Sequence, residues 1–281
     1  MQITKICAGI VLFNPDIHRL GENIKHIIDQ VEKIFLVNNG SDNVGQILDL
    51  LNDYGDKCEY IDLQKNRGIA AALNVIVRKA KEHGYDWVLT LDQDTVCYDN
   101  IIENYEKYLN LDNIGQLTCF YNDRNFEKTP MRSSDAIEFE KVTWCITSAA
   151  LVSVDAWLKS GGADERLFID AVDFDICLSM AEHGYNIYKC KFLGFLHEIG
   201  SGHTIHIGPV KIKTWNHAAF RRYYGTRNMI LVAKKHASQS IFRTLLGVLK
   251  HMLIILIFEN DKWEKLKMGS KGIFDGMRGK V

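Results

Sequence analysis

The alternation of strand-like and helix-like segments in the opening third of the chain limits its fold most tightly. Short apolar runs each stop at polar turn chemistry: Cys7–Phe13 at Asn14-Pro15, Ile34–Val37 at Asn38-Asn39-Gly40-Ser41, and Trp87–Leu91 at Asp92-Gln93-Asp94. Between the first two, Ile17, Leu20, Ile24, Ile27, Ile28 and Val31 recur at helical spacing. A second helix is expected around Val44–Tyr54, ahead of a strand at Cys58–Leu63. Asn66-Arg67-Gly68 opens a third helix, with Ile69, Ala72, Leu73, Ile76, Val77 and Ala80 on one face and Gly84 as its left-handed stop. This rhythm predicts an α/β fold built on a mostly parallel sheet covered on both faces. Ligands of such sheets bind at the carboxyl ends of the strands, so the three loops that follow strands are expected to cluster.

The second half is less regular. Leu117–Glu140 is polar and carries no clear period, and Val142–Val154 predicts a strand running into a turn or helix. Val172–His183 predicts a helix closed by Gly184, Ile187–Leu196 a strand ending at His197, and the chain after Trp215 is expected to be mainly helical. The 7 cysteines contain no C-x-x-C pair, which argues for reduced thiols rather than a zinc ribbon or a disulfide framework. Charge is unevenly spread. The whole chain has 34 Lys/Arg against 35 Asp/Glu, yet from Ala218 onward there are 13 against 4. A basic tail on an acidic body points to an anionic partner or surface. The amino terminus lacks the pattern of a signal peptide. Ile241–Phe258 is apolar but interrupted by Arg243, Lys250 and His251, which predicts an interfacial or core helix rather than a spanning one.

Three groups of residues carry potential chemistry. Asp92-Gln93-Asp94 sets two carboxylates at the end of a buried strand, where hard divalent cations and substrate hydroxyls find oxygen ligands; an ordinary polar turn is the plainer alternative. Asp170, Asp173 and Asp175 stand among apolar residues at a helix start. Dipole complementarity at the amino terminus accounts for one acid more easily than for three, which leaves room for a general base. His197 closes a strand-like run and is a metal-ligand candidate. The sequence has no G-x-S-x-G elbow, Walker-type phosphate loop, G-x-G-x-x-G turn or nucleic-acid module.

Taken in order, these pieces resemble the family 2 inverting glycosyltransferases, and especially their bacterial rhamnosyltransferase branch. The matching stretches are Gly9–Pro15, Val37–Ser41, Asn66–Asn74, Leu91–Asp94, Gly161–Glu165 with Leu167–Asp175, His197–Gly200 and Tyr223–Asn228. The resemblance implies a GT-A fold: a mostly parallel, mixed central sheet flanked by helices, with a helical C-terminal extension. Residues 1–215 would form the catalytic domain, with a nucleotide-sugar half over about 1–115, an acceptor and base half over about 116–215, and a basic extension over 216–281. Carried over by position, Phe13, Asn14, Asn38, Asn66, Arg67, Gly68, Asn74, Asp92 and Asp94 would hold the nucleotide-sugar. Asp94 and His197, with Asp92 as a further candidate, would hold a divalent metal, Mg2+ or Mn2+. Asp173 matches the catalytic base, with Asp170 as the alternative and Asp175 as a structural acid.

Three residues depart from the family pattern. Asn38 replaces an Asp, Ser179 an Arg, and Ala149 a Gly, the last expected to tighten the acceptor pocket. The implied reaction is inverting transfer of a sugar, foremost rhamnose from dTDP-rhamnose, to a saccharide acceptor that is lipid-linked, in surface polysaccharide synthesis. Galactofuranose or glucose from UDP are the alternative donors. A sugar-phosphate nucleotidyltransferase and a non-catalytic nucleotide-binding scaffold are lower alternatives. The implied location is cytoplasmic and peripheral at the inner membrane face, reached through the basic extension, with a homodimer as a further possibility and no nucleic-acid partner.

Overall fold

The computed structural model describes residues 4–125, 138–197, 203–207, 210–214 and 216–280. The first half follows the expected alternation: β1 (Ile6–Leu12), α1 (Ile17–Ile27), β2 (Ile34–Asn38), α2 (Val44–Leu51), β3 (Cys58–Asp62), α3 (Ile69–Glu82) and β4 (Trp87–Asp92). A two-residue strand, β5 (Val96–Cys97), and a short helix, α4 (Ile101–Glu106), follow. The second half holds β6 (Ile114–Asp123), β7 (Phe139–Val142), β8 (Ala150–Ser153), α5 (Val154–Lys159), α6 (Val172–Glu182) and β9 (Asn186–His197). Then come a hairpin of β10 (His203–Ile207) and β11 (Val210–Thr214) and three helices, α7 (Ala219–Lys235), α8 (Ile241–Phe258) and α9 (Lys262–Arg278).

The central sheet runs β3-β2-β1-β4-β8-β6-β9-β5, with β7 also on β9. Its first four strands are parallel, and β8 then enters antiparallel to both β4 and β6. The sheet is therefore mixed. β1 and β2 are buried along their whole length because helices cover both faces, which is why they read as continuous apolar runs. One apolar layer packs α1 and α4 against one face, around Leu20, Ile24, Leu36 and Tyr105. The other packs α3, α5 and α6 around Val37, Ile76, Trp157 and Ile176.

Two sequence expectations change. Leu117–Glu140 begins inside the ten-residue strand β6, and residues 126–137 of that stretch lie outside the described residues. Ile241–Phe258 is not a core helix: α8 is 11% buried, with mean hydropathy 2.0, and by length and composition alone it is apolar enough to cross a membrane. Val248 and Ile255 form its buried seam, while Phe242, Leu246, Leu249, Leu253 and Ile257 are 51–70% exposed along one stripe. Its neighbour α9 packs closely on α7. A Cβ added at Gly272 would lie 2.0 Å from the Thr226 hydroxyl and 2.5 Å from the Tyr223 carbonyl, so only glycine allows this approach.

Candidate active site

The carboxyl ends of β1, β2, β3 and β4 are tied together by their own loops. The Phe13 N–H donates to Gln93 Oε1 at 2.8 Å, and Gln93 Nε2 returns a bond to the Phe13 carbonyl at 3.3 Å. The Asn14 N–H donates to Ser41 Oγ (2.9 Å), and Asn14 Oδ1 accepts from the Asp42 N–H (2.7 Å). Asn39 reaches the next loop, accepting from the Arg67 N–H and donating to Asn66 Oδ1. Phe13, Asn14, Asn66 and Arg67 thus share one rim and are exposed there, with Phe13 44% accessible.

Other expected donor-site residues have structural positions. Asn38 is 1% exposed. Its Oδ1 accepts from the Ser41 N–H and its Nδ2 donates to Asp62 Oδ1, so it is internal to the loop rather than available to a base. The exposed carboxylate at that point belongs to Asp62. Asn74 is likewise engaged within the protein. It donates to the Ala163 carbonyl and Glu165 Oε1 and accepts from Trp157 Nε1 and the Ala163 N–H, which uses both N–H groups and both lone pairs of its amide. Gly68 is a contact point between segments: its φ is +85°, and an added Cβ would lie 2.5 Å from the Phe168 carbonyl. The Ile69 N–H donates to that same carbonyl at 2.7 Å.

Across the sheet, β5 pairs antiparallel with the end of β9, opposing Val96 to Leu196, and this register brings Thr95 beside His197. Thr95 Oγ1 lies 2.7 Å from Ser148 Oγ and 3.5 Å from His197 Nδ1. His197 is buried, and its Nε2 stands 3.8 Å from Asp92 Oδ2. That is longer than a hydrogen bond but short enough for both atoms to face one cation. Asp94 sits in the turn between them, which closes through a bond from the Thr95 N–H to the Asp92 carbonyl. Among the described residues no group of three or more His, Cys, Asp or Glu side chains forms a metal site by itself. Of the three expected metal ligands, Asp92 and His197 are brought within reach of each other. Residues 198–200 of the matched His197–Gly200 stretch lie outside the described residues.

Asp173 lies in the first turn of α6, half-buried, and accepts from Thr147 Oγ1 at 2.9 Å. Burial, and then the nearby charge of Asp92, push its carboxyl up to about 7, against a smaller opposing pull from the Thr147 hydroxyl. That coupling brings Asp173 and Asp92, 81 positions apart in sequence, into one electrostatic unit. Asp170 is engaged differently: Arg221 donates to it from Nη2 and, at 3.3 Å, from Nε. Asp175 is fully buried, paired with Lys235 Nζ at 2.7 Å and with His236 Nε2 at 2.9 Å, and is structural.

The loop before Asp173 is strained. Phe168, Asp170 and Ala171 all have left-handed φ values, +64°, +65° and +62°. Asn228, fully buried in α7, holds it by donating from Nδ2 to the carbonyls of Leu167, Ile169 and Asp170 at 2.7–2.9 Å. Arg227 adds a bond to the Arg166 carbonyl (2.8 Å), and its guanidinium lies 4.9 Å from the centre of the Tyr224 ring, which stacks on Phe168. The sequence matched Tyr223–Asn228 without giving it a task, and Thr147 and Arg221 were not singled out. Ala149, the third departure from the family pattern, is internal. It is fully buried at φ +51°, the region that favours glycine, and its carbonyl accepts from the Tyr105 hydroxyl. Ser179 is buried in α6.

The family model described as glycosyl transferase family 2 matches residues 7–156. The dTDP-rhamnosyl transferase RfbF of Shigella flexneri is 27% identical over 98% of this chain and 96% of its own length. Hyaluronan synthase of Streptococcus pyogenes is 28% identical over 166 residues, which is 53% of this chain and 38% of that protein. Among solved structures, S. aureus TarS 1–349 matches with a TM-score of 0.61 at 10% identity, covering 99% of this chain and 93% of its own. The mannosyltransferase PcManGT from Pyrobaculum calidifontis, in complex with GDP-Man and Mn2+, matches with a TM-score of 0.58 at 13% identity, covering 99% and 76%. At such identities the two structures speak for the fold alone, and that fold is GT-A.

Proposed function

Because the chain belongs to glycosyl transferase family 2, we propose that it transfers rhamnose from dTDP-rhamnose to a lipid-linked saccharide with inversion at the anomeric carbon. The observation that carries the choice of sugar is the near end-to-end match to a dTDP-rhamnosyl transferase, 98% of one chain on 96% of the other. In this reading the loops from residues 1–115 hold the donor, residues 116–215 supply the base, and residues 216–281 brace the base loop and meet the membrane.

The reaction needs one proton acceptor and a site for a leaving diphosphate. The acceptor oxygen forms its bond to the anomeric carbon while the bond to the diphosphate breaks, and the diphosphate departs with the electron pair. Asp173 receives the acceptor proton. Thr147 fixes the direction of its carboxylate, and burial raises its proton affinity toward the working range of a general base. Asp170 is the weaker candidate because Arg221 occupies both of its oxygens. Asp92, Asp94 and His197 would hold a divalent cation, which when bound offsets negative charge on the diphosphate. Asp62 and the rim at Phe13, Asn14 and Arg67 would flank the nucleoside.

The test is direct. The protein is incubated with dTDP-rhamnose, and separately with UDP-glucose or UDP-galactofuranose, with Mg2+ or Mn2+ and then with EDTA. Turnover of the dTDP sugar is expected, abolished by EDTA and by Asp94→Ala. Preferential turnover of a UDP sugar would replace the donor assignment. Absence of turnover and binding with every donor would overturn the transferase reading.

A further inference from the structure

Between α7 and α8 lies a cavity of about 550 Å3, bordered by Asp170 and Ala171. Most of its accessible lining is apolar, with Met229 from α7 and Val248 from α8. Three guanidinium groups, of Arg221, Arg222 and Arg243, are set into this lining beside Asp170, His217 and His251. Their charges do not balance. Arg221 is paired with Asp170, but Arg222 and Lys265 share the single carboxylate of Glu259, at 2.6 and 3.1 Å. Arg243 has no side-chain partner among the described residues and stands exposed at the cavity edge. Arg222 is 93% buried by its 7% exposure, yet its Nε–H meets no acceptor among the described residues. An orphaned guanidinium N–H beside an unbalanced positive charge is costly unless something negative completes it.

The two histidines on the wall carry the same imprint. Burial, followed by the positive charge of Arg221 and Arg222, holds His217 down to about 4, and burial with Arg222 lowers His251. Both accept hydrogen bonds from arginines, Arg221 to His217 Nδ1 and Arg222 to His251 Nε2, so neither contributes negative charge. The other side of α8 bears the exposed apolar stripe from Phe242 to Ile257. From these features we propose that the cavity receives the diphosphate of an amphiphilic acceptor, whose hydrocarbon chain leaves along α8 and whose sugar end reaches Asp173. The inference rests on the lipid-linked acceptor of the preceding section and adds the place where its anionic group is held. Two surplus positive charges match a diphosphate, and the apolar wall favours one that is esterified to a hydrocarbon. The cavity borders Asp170 and Ala171, close in sequence to the base.

Farnesyl diphosphate is the probe, titrated calorimetrically into the full chain with EDTA present so that no metal draws it to the donor site. Saturable binding is expected, weakened about tenfold or more by Arg243→Gln, the worth of one charge-assisted hydrogen bond. Gly247→Leu gives a second, independent arm. A Cβ at Gly247 meets nothing within 4 Å, so the larger side chain enters open space at the cavity wall without disturbing the fold, and it should also weaken binding. Thermal unfolding and dTDP binding with Mg2+ confirm that each variant is folded. The proposal is overturned if both variants bind farnesyl diphosphate like the parent, or if the parent does not bind it. Equal affinity for inorganic pyrophosphate would make this a bare anion site, and equal affinity for farnesol would make it an apolar one; either result also overturns the proposal. Donor turnover is scored separately on the parent protein, so loss of this inference and loss of the transferase reading are told apart.

Discussion

At Asp173, burial and then a like-charged neighbour disfavour the carboxylate, while one hydroxyl stabilises it. An unfolded aspartate titrates near 4, whereas the folded protein moves this one to about 7. Between those values the folded state keeps a proton that the unfolded state has released. Stability from this group therefore falls as pH rises from about 4 to 7, and none of it is regained above that. Asp173→Asn is expected to raise stability by on the order of 1–2 kcal/mol at about pH 8, with the gain shrinking toward pH 5. Denaturant unfolding at the two pH values checks this, and a larger gain at the lower pH would contradict it. The same variant should lower turnover by about 10²–10⁴-fold, and the parent's rate should climb through pH 7 to a plateau. The acids themselves were legible because three carboxylates among apolar residues are hard to explain by capping alone. Their partners were not: Thr147 lies 26 positions from Asp173, and Arg221 lies 51 from Asp170. Local spacing is silent over such distances. The inward turn of Asn38 was hidden for a related reason, since it depends on the partners that Ser41 and Asp62 offer it.

Among the elements, α7 carries the most consequence for the site. Three left-handed residues within four positions cost roughly 1 kcal/mol each unless the surroundings fix them, and Asn228 supplies that restraint. Asn228→Ala would remove the two amide N–H groups shared among the carbonyls of Leu167, Ile169 and Asp170. The expected cost is about 2–3 kcal/mol of stability, together with a fall in kcat and unchanged binding of dTDP with Mg2+. Chemical denaturation and calorimetric nucleotide binding on the same preparation separate the two effects; a loss of nucleotide binding equal to the loss of kcat would show that α7 acts on the donor cleft instead. Strands with both faces covered announced themselves as apolar runs, as in β1 and β2. The strand β6 did not, because Gln116, Thr118 and Asn122 interrupt it. Alternation of this kind ordinarily marks a solvated face, yet all three residues are buried, Gln116 against Cys177 and Met180 of α6. The hairpin of β10 and β11 lay beyond the regular part of the pattern and was not anticipated.

At the scale of the whole molecule, charge and apolar surface are gathered at the same end. The stripe of α8, Trp263 (74% exposed) on α9 and the basic excess after Ala218 all belong to the last three helices, and apolar side chains combined with positive charge are what anionic lipid attracts. The protein is expected to sediment with vesicles containing phosphatidylglycerol and less with phosphatidylcholine alone, with binding weakened by salt. Leu246→Glu with Leu253→Glu should abolish it, and retention by this double variant would move the contact elsewhere. The mixed strand order also fixes how the chain can be divided. The early strand β5 closes the far edge of the sheet against β9, beyond strands that come later in sequence, and the family match over residues 7–156 crosses the boundary near 115. Severing the chain there would leave each fragment with a bare row of unpaired amides and carbonyls. The two sides of that point therefore cannot be exchanged between chains of this build by splicing there, and chimeras need junctions that carry β5 along with its partner β9.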